Sequence, residues 1–199
     1  MLTEIALTVG TASWASIATT AAGLYRRRLH TDPLTGLGNR AALDARARRV
    51  RRGLVGLVMI DLDAFKAIND THGHDFGNTV LATVASRLAE ATHPGEHAVR
   101  LHGDEFAVWL GHQPHPGAAE QRADEIANAL AEPHWIHGHR LSVLGSVGLA
   151  LGPASLSTSE LLGQADEHMS QVKAAHRVTV LNPGQNRRSR DNNPGGEAA

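Results

Sequence analysis

Leu54–Asp63 reads LVGLVMIDLD, and Arg100–Leu110 reads RLHGDEFAVWL. The first is a continuous apolar run, Leu54 to Ile60, closed by Asp61-Leu62-Asp63. Its length suits a buried strand. The second belongs to a pair of short apolar segments, Ala98–Leu101 and Phe106–Leu110. Only His102-Gly103-Asp104-Glu105 separates them, which is the spacing of a hairpin. A hairpin paired beside the first strand would bring Asp61, Asp104 and Glu105 to one edge of a sheet. Such carboxylates repel one another unless a hard cation such as Mg²⁺ takes their oxygens and keeps phosphate oxygens as further ligands. Two such metals can also activate an attacking hydroxyl and steady a leaving group.

Outward from this stretch, helical and strand patterns alternate. Ala41–Arg52 is rich in Ala and Arg, with helical propensity. Gly77–Ala91 places Leu81, Val84, Ala85 and Leu88 at helical spacing. Ala118–Ala131 predicts a helix with Ile126 and Leu130 inward. Leu141–Leu151 predicts a strand, with Trp135–Arg140 pairing to it through a turn at Gly138. Ser157 and Glu160 form a capping box before a helix to about Ala175. Its core face would hold Leu161, Leu162, Ala165, Met169 and Val172. Arg177–Leu181, RVTVL, predicts a last strand. The order implies an α+β fold, a sheet with helices on its faces.

Taken together, these motifs resemble those of the GGDEF family of diguanylate cyclases. Asp32-Pro33-Leu34-Thr35-Gly36-Leu37 with Asn39-Arg40 is similar to the family's opening motif. Asp61-Leu62-Asp63, Phe65-Lys66, Asn69-Asp70 and Gly73-His74 resemble its first active-site segment. Arg100 and Gly103-Asp104-Glu105-Phe106 resemble the hairpin that names it. Ser146-Val147-Gly148 resembles a later strand, and Ala165-Asp166, Met169, Lys173 and Arg177 its final helix. The matches run in order from about residue 31 to 181.

The resemblance implies a mostly antiparallel sheet of the nucleotidyl-cyclase or palm type, with a ferredoxin-like core. It implies that two subunits, each holding one GTP, face each other in a homodimer and form cyclic di-GMP and pyrophosphate. Asp61 and Asp104, with the Leu62 carbonyl, would hold Mg²⁺ or Mn²⁺. Asp104 or Glu105 would help deprotonate the attacking ribose hydroxyl. Lys66, Lys173 and Arg177 would meet the triphosphate, a role that suits long cationic side chains. Asn69 would bond the guanine.

Departures from the pattern leave a second reading, a degenerate member that binds nucleotide or a partner protein without turnover. His102 replaces the first glycine of the naming hairpin. Asn78 replaces an aspartate beside the base, and an amide offers one acceptor oxygen where a carboxylate offers two. His93-Pro94-Gly95-Glu96 lacks the arginine of the family's inhibitory product site. Ser170 and His176 stand where Tyr and Gly are usual.

Both ends differ from the middle. Residues 5–25 carry no charge, and Arg26-Arg27-Arg28 come directly after. Such a stretch can just span a bilayer as a helix. The arginines would hold the downstream domain on the cytoplasmic side, at the inner face of the membrane. Ala15, Thr19 and Gly23 recur every four residues and would permit close helix pairing. The alternative is a dimerising or surface-lying helix in a cytoplasmic protein. Residues 182–199, rich in Asn, Gly and Pro, predict a disordered tail. The expected division is therefore 1–28, 29–181 and 182–199. With 19 basic against 20 acidic residues, the whole chain has no basic field for nucleic acid. It has no cysteine, which excludes disulfides and cysteine zinc sites. His72 and His74 stand two apart on a loop, a spacing that could chelate, but Gly73-His74 is ordinary for the resembled family and no zinc site is expected there. His134, His137 and His139 around Trp135 read as an exposed hairpin.

Overall fold

In the computed structural model, residues 29–136, 138–141 and 145–180 are described. The expected N-terminal helix of 1–28 and the tail of 182–199 lie outside them. The elements are α1 (Arg40–Ala47), β1 (Leu54–Leu62), α2 (Phe65–His72), α3 (His74–Ala91), β2 (His97–His102), β3 (Glu105–Gln113), α4 (Pro116–Ala131), β4 (His134–Ile136), β5 (His139–Leu141), β6 (Gly145–Pro153) and α5 (Thr158–Val180).

Four strands form an antiparallel sheet in the order β2-β3-β1-β6. The apolar strand β1 is interior, with β3 on one side and β6 on the other. Its unbroken apolar run has a physical reason, since helices cover both faces and Val55–Ile60 are all buried. The two-residue period of a strand is still present inside the run. Val58 and Ile60 pack with Val80, Val84 and Leu88 of α3 and Ile126 and Leu130 of α4. Val55, Leu57 and Met59 pack with Leu43 of α1 and Leu161, Ala165 and Met169 of α5. The fold is thus the expected α+β sandwich of helix, antiparallel sheet and helix.

Gly148 lets α5 approach β6 closely. A Cβ there would lie 2.0 Å from the Ala165 carbonyl oxygen and 2.8 Å from the Met169 Cβ. The capping box forms as read: the Ser157 N–H donates to Glu160 Oε2 at 2.8 Å, and the Glu160 N–H donates to Ser157 Oγ at 3.2 Å.

Three sequence expectations need correction. Arg177–Val180 continue α5 instead of forming a strand. The β-branched alternation there imitates a strand, but no Gly or Pro interrupts the chain between Gly163 and Pro183 to stop the helix. Leu141 belongs to β5, which pairs with β4 around Gly138 as a separate two-stranded sheet, and β6 starts at Gly145. The helix expected from Gly77 begins at His74, because Gly73, at φ +85°, makes the break between α2 and α3.

Candidate active site

The carboxylates meet where β1 ends and β3 begins. In the register, Asp61 lies opposite Glu105 on one side and Ser146 on the other. The Leu62 N–H donates to the Asp104 carbonyl at 3.3 Å, which ties the strand end to the hairpin turn. A cavity of about 460 Å³ opens there. Asp61, Leu62, Lys66, Asp104 and Lys173 line it, together with Asp63, Ala64, Phe65 and Ser146. The Lys173 ammonium, from α5, donates to a carboxylate oxygen of Asp61. Ser146 Oγ donates to Asp63 Oδ1 at 2.7 Å. Five residues singled out from the sequence therefore share one cavity.

Its floor includes the start of α2. Ala64 has φ +57°, the only non-glycine residue with positive φ among the described residues. Such strain persists only where the surroundings impose it. No side chain caps the N-terminus of α2. Unpaired N–H groups there suit an anionic group in the cavity lined by Ala64, Phe65 and Lys66.

Arg100 braces the hairpin. Its guanidinium donates to the Gly103 carbonyl from Nε at 3.0 Å and from Nη2 at 2.7 Å. Nη1 reaches Asp32 Oδ1 at 3.2 Å. Asp32 also accepts from the Thr35 N–H at 2.8 Å and Oγ1 at 2.6 Å. Burial raises the Asp32 pKa, yet the Thr35 and Arg100 bonds outweigh it and hold the carboxyl below its ordinary value. The opening motif thus acts on the hairpin through Arg100. Arg100, Asp32 and Ser146 belong to motifs visible in the sequence, but the bonds they make are not legible there.

His102 does not distort the turn. Gly103 takes the left-handed conformation, at φ +52°, and His102 is not among the positive-φ residues. Its ring is 76% exposed, with Nε2 3.1 Å from Glu105 Oε2. Burial raises the Glu105 pKa; His102 lowers it, while Asp61, Asp104 and Asp166 raise it, and the net position is above the ordinary carboxylate value.

Not every expected residue reaches the cavity. Asn69 lies on α2 and Asn78 on α3, and neither lines it. They share a neighbourhood, however. A Cβ on Gly77 would fall 1.9 Å from Asn69 Oδ1, so the Asn69 amide lies against the backbone next to Asn78. Arg177 lies on α5, and its side chain is outside the described residues. Glu105 flanks the cavity without lining it.

Among the described residues no group of three His, Cys, Asp or Glu side chains is placed to hold a metal. The cavity is lined instead by the carboxylate residues Asp61 and Asp104, together with Leu62. That set fits Mg²⁺, which is usually bound through one or two carboxylates plus substrate phosphates rather than an all-protein cage. A larger concavity, about 660 Å³, lies at the far end of the sheet between Asp44, Arg48, Trp109 and Ser155–Ser159. It holds neither the paired carboxylates nor the strained loop, so the smaller cavity is the candidate site.

The family's model for the diguanylate cyclase GGDEF domain matches residues 29–179. The chain belongs to the GGDEF family. DgcN, a diguanylate cyclase of Escherichia coli, is 38% identical over 162 residues, which are 76% of this chain and 38% of that protein. The chain thus spans well under half of that relative. A sensory box/GGDEF protein from Caulobacter crescentus matches at a TM-score of 0.65 and 35% identity, over 73% of this chain and 99% of that one. The coiled coil and GGDEF domain of DgcB from Caulobacter crescentus, solved with c-di-GMP, matches at 0.73 and 25% identity, over 88% and 96%. The GGDEF motif of this chain therefore reads HGDEF on the family's own fold.

Proposed function

We propose that this chain is a diguanylate cyclase that condenses two GTP into cyclic di-GMP with release of pyrophosphate. The observation that carries the reading is the single cavity shared by Asp61, Leu62, Asp104, Lys66 and Lys173. A triphosphate seated there would meet Lys66, Lys173, Arg177 and the uncapped N-terminus of α2. Asp61, Asp104 and the Leu62 carbonyl would hold Mg²⁺ or Mn²⁺, which when bound neutralises phosphate charge and lowers the pKa of a coordinated hydroxyl. Asp104 or Glu105 accepts the proton of the ribose 3′-hydroxyl as its oxygen bonds the α-phosphorus of the other nucleotide. The bond from that phosphorus to the β-phosphate bridge breaks, and pyrophosphate leaves. A raised carboxyl pKa at Glu105 suits a proton acceptor.

Each domain offers one such cavity, so two must face each other in a homodimer. Residues 1–28 are the proposed source of pairing or of a membrane anchor, with the catalytic domain in the cytoplasm. Asn69 and Asn78 are the proposed base readers. An amide at 78 in place of a carboxylate would relax selectivity toward ATP. Glu96, at the position of the family's product-site acid, is engaged by Arg122 through bonds of 2.8 Å. No product feedback is expected through that site.

A second reading, nucleotide binding without turnover, is favoured by one contact, that of His102 on Glu105. One experiment separates the two. The chain, paired through a fused coiled coil, is given Mg²⁺ with GTP, ATP or both, and products are identified by mass spectrometry. Cyclic di-GMP establishes the cyclase. A folded dimer that binds GTP and forms no product establishes the second reading. A base preference unchanged in Asn78→Asp would remove residue 78 from selectivity.

A further inference from the structure

Residues 26–52 hold nine arginines and only two acids, Asp32 and Asp44. This stretch carries plus seven, while the other residues, ten basic and eighteen acidic, carry minus eight. The near-neutral total conceals a strongly polarised molecule. Six of the arginines, Arg40, Arg46, Arg48, Arg49, Arg51 and Arg52, lie on α1 and the turn after it. All but Arg46 are exposed. Both acids are occupied, Asp32 by Arg100 and Asp44 by the Thr158 hydroxyl. Arg40 donates to Ser159 Oγ at 3.0 Å. The other five have no ion-pair partner among the described residues. Nearby, burial and then repulsion from Arg46 and Arg49 hold the His97 imidazole below its ordinary pKa, a mark of the positive field.

We propose that this arginine face docks the domain onto an anionic lipid surface. The chain outside the described residues favours that partner. Residues 5–25 are uncharged, Arg26–Arg28 come next, and the described chain starts at Leu29. The Leu29 carbonyl accepts from the Asn39 side chain at the N-cap of α1, at 2.9 Å, and His30 lines one concavity with Arg46 and Arg49. Arginines therefore surround the point where the uncharged stretch joins the domain. Basic clusters beside such a segment are attracted to anionic headgroups, each charge worth roughly fivefold in affinity. The face lies at the opposite end of β1 from Asp61. At about 3.3 Å per residue that strand separates the two by roughly 25–30 Å. Docking would leave the cavity open to nucleotide. A duplex nucleic acid is the competing partner. The single exposed tryptophan among the described residues, Trp135, lies on β4 and gives the face no stacking platform.

The inference does not depend on the cyclase reading. It is tested with the full chain by timing tryptic cleavage after Arg48, Arg49, Arg51 and Arg52 in the exposed turn, read by mass spectrometry. The chain is mixed with phosphatidylcholine vesicles, with and without about 30% phosphatidylglycerol. Expected is cleavage at least about tenfold slower on the anionic vesicles, restored by about 0.5 M salt. Protection should weaken in Arg46→Gln/Arg49→Gln and persist in Arg46→Lys/Arg49→Lys, with unchanged melting of both. The comparison holds whether or not residues 5–25 already keep the chain on the vesicle. Equal cleavage on the two vesicles would overturn the proposal. So would equal protection in the glutamine variant, or stronger protection by duplex DNA at the same salt.

Discussion

Lys173 and Asp61 are 112 residues apart in sequence, yet the ammonium of one donates to the carboxylate of the other. α5 supplies the cation and the end of β1 the anion, inside the same cavity. The lysine offsets part of the charge that Asp61, Asp104 and Glu105 bring together. Under the proposed function it would turn toward a phosphate of the bound nucleotide.

Replacing that lysine separates the two tasks. Lys173→Gln is expected to lower kcat/KM for GTP by roughly 10- to 100-fold, the worth of about one charged hydrogen bond. The fold should survive, because both side chains are partly exposed, at 30% and 27%. Steady-state kinetics beside thermal melting check this. Unchanged kcat/KM would remove Lys173 from the substrate.

Gly77 tests the region proposed to read the base through a change that adds only a methyl group. A methyl at this position would occupy the place of Asn69 Oδ1, 1.9 Å away. The amide is the mobile end of a side chain, so it would swing off at little cost in stability. Helix propensity alone would favour alanine over glycine by about 1 kcal/mol. Gly77→Ala is therefore expected to raise KM for nucleotide several-fold while the melting temperature holds or rises. A fall in stability with unchanged KM would contradict this account of Asn69.

Much of the architecture was legible because its signals are local. β1 is an apolar run closed by two aspartates, and the hairpin is punctuated by Gly103-Asp104. The Ser157–Glu160 box lies three residues apart. Long-range bonds were not legible: Arg100 reaches Asp32 across 68 residues, and Ser146 reaches Asp63 across 83. Their motifs could be matched, but only the paired strands say what each side chain touches. The end of α5 departs from its local signal for the opposite reason. RVTVL carries a strong local strand pattern, and a helix already propagating overrode it.

The Asp32–Arg100 link gives a pH signature. The Asp32 carboxyl is held below its ordinary value of 3.8 in the folded chain. A depressed carboxyl stabilises the fold above the unfolded pKa, and the contribution is lost as pH falls through the folded one. The melting temperature of the parent should exceed that of Asp32→Asn by a constant margin from about pH 7 to about pH 5, and the margin should close below about pH 4. At neutral pH the difference should be about 1–2 kcal/mol, since both partners are mostly buried. A margin independent of pH would show that the ionised carboxylate, with its bonds to Thr35 and Arg100, is not what the variant removes. Because Arg100 also holds the Gly103 carbonyl, Asp32→Asn should lower turnover as well as stability.

Arg122 and Glu96 form the most enclosed ion pair among the described residues, with side chains 13% and 7% exposed. Arg122 Nη2 also donates to the Ala91 carbonyl at 2.9 Å, and the His93 N–H donates to Glu96 Oε2 at 2.8 Å. One guanidinium thus joins the end of α3, the start of β2 and α4. Hydrogen bonding to Glu96 raises the arginine's pKa, so its charge is never in question. Removing the cation alone leaves a carboxylate with little water to replace it. Arg122→Met is expected to cost about 3 kcal/mol, which lowers the melting temperature of a chain this size by about 6–12 °C. In the double variant Arg122→Met/Glu96→Gln no enclosed unpaired charge remains, because the guanidinium's other partner, Glu125, is exposed to water, and a substantial part of the loss should return. Measured by denaturant titration, additivity of the two single losses would mean that the buried carboxylate is not what makes Arg122→Met costly.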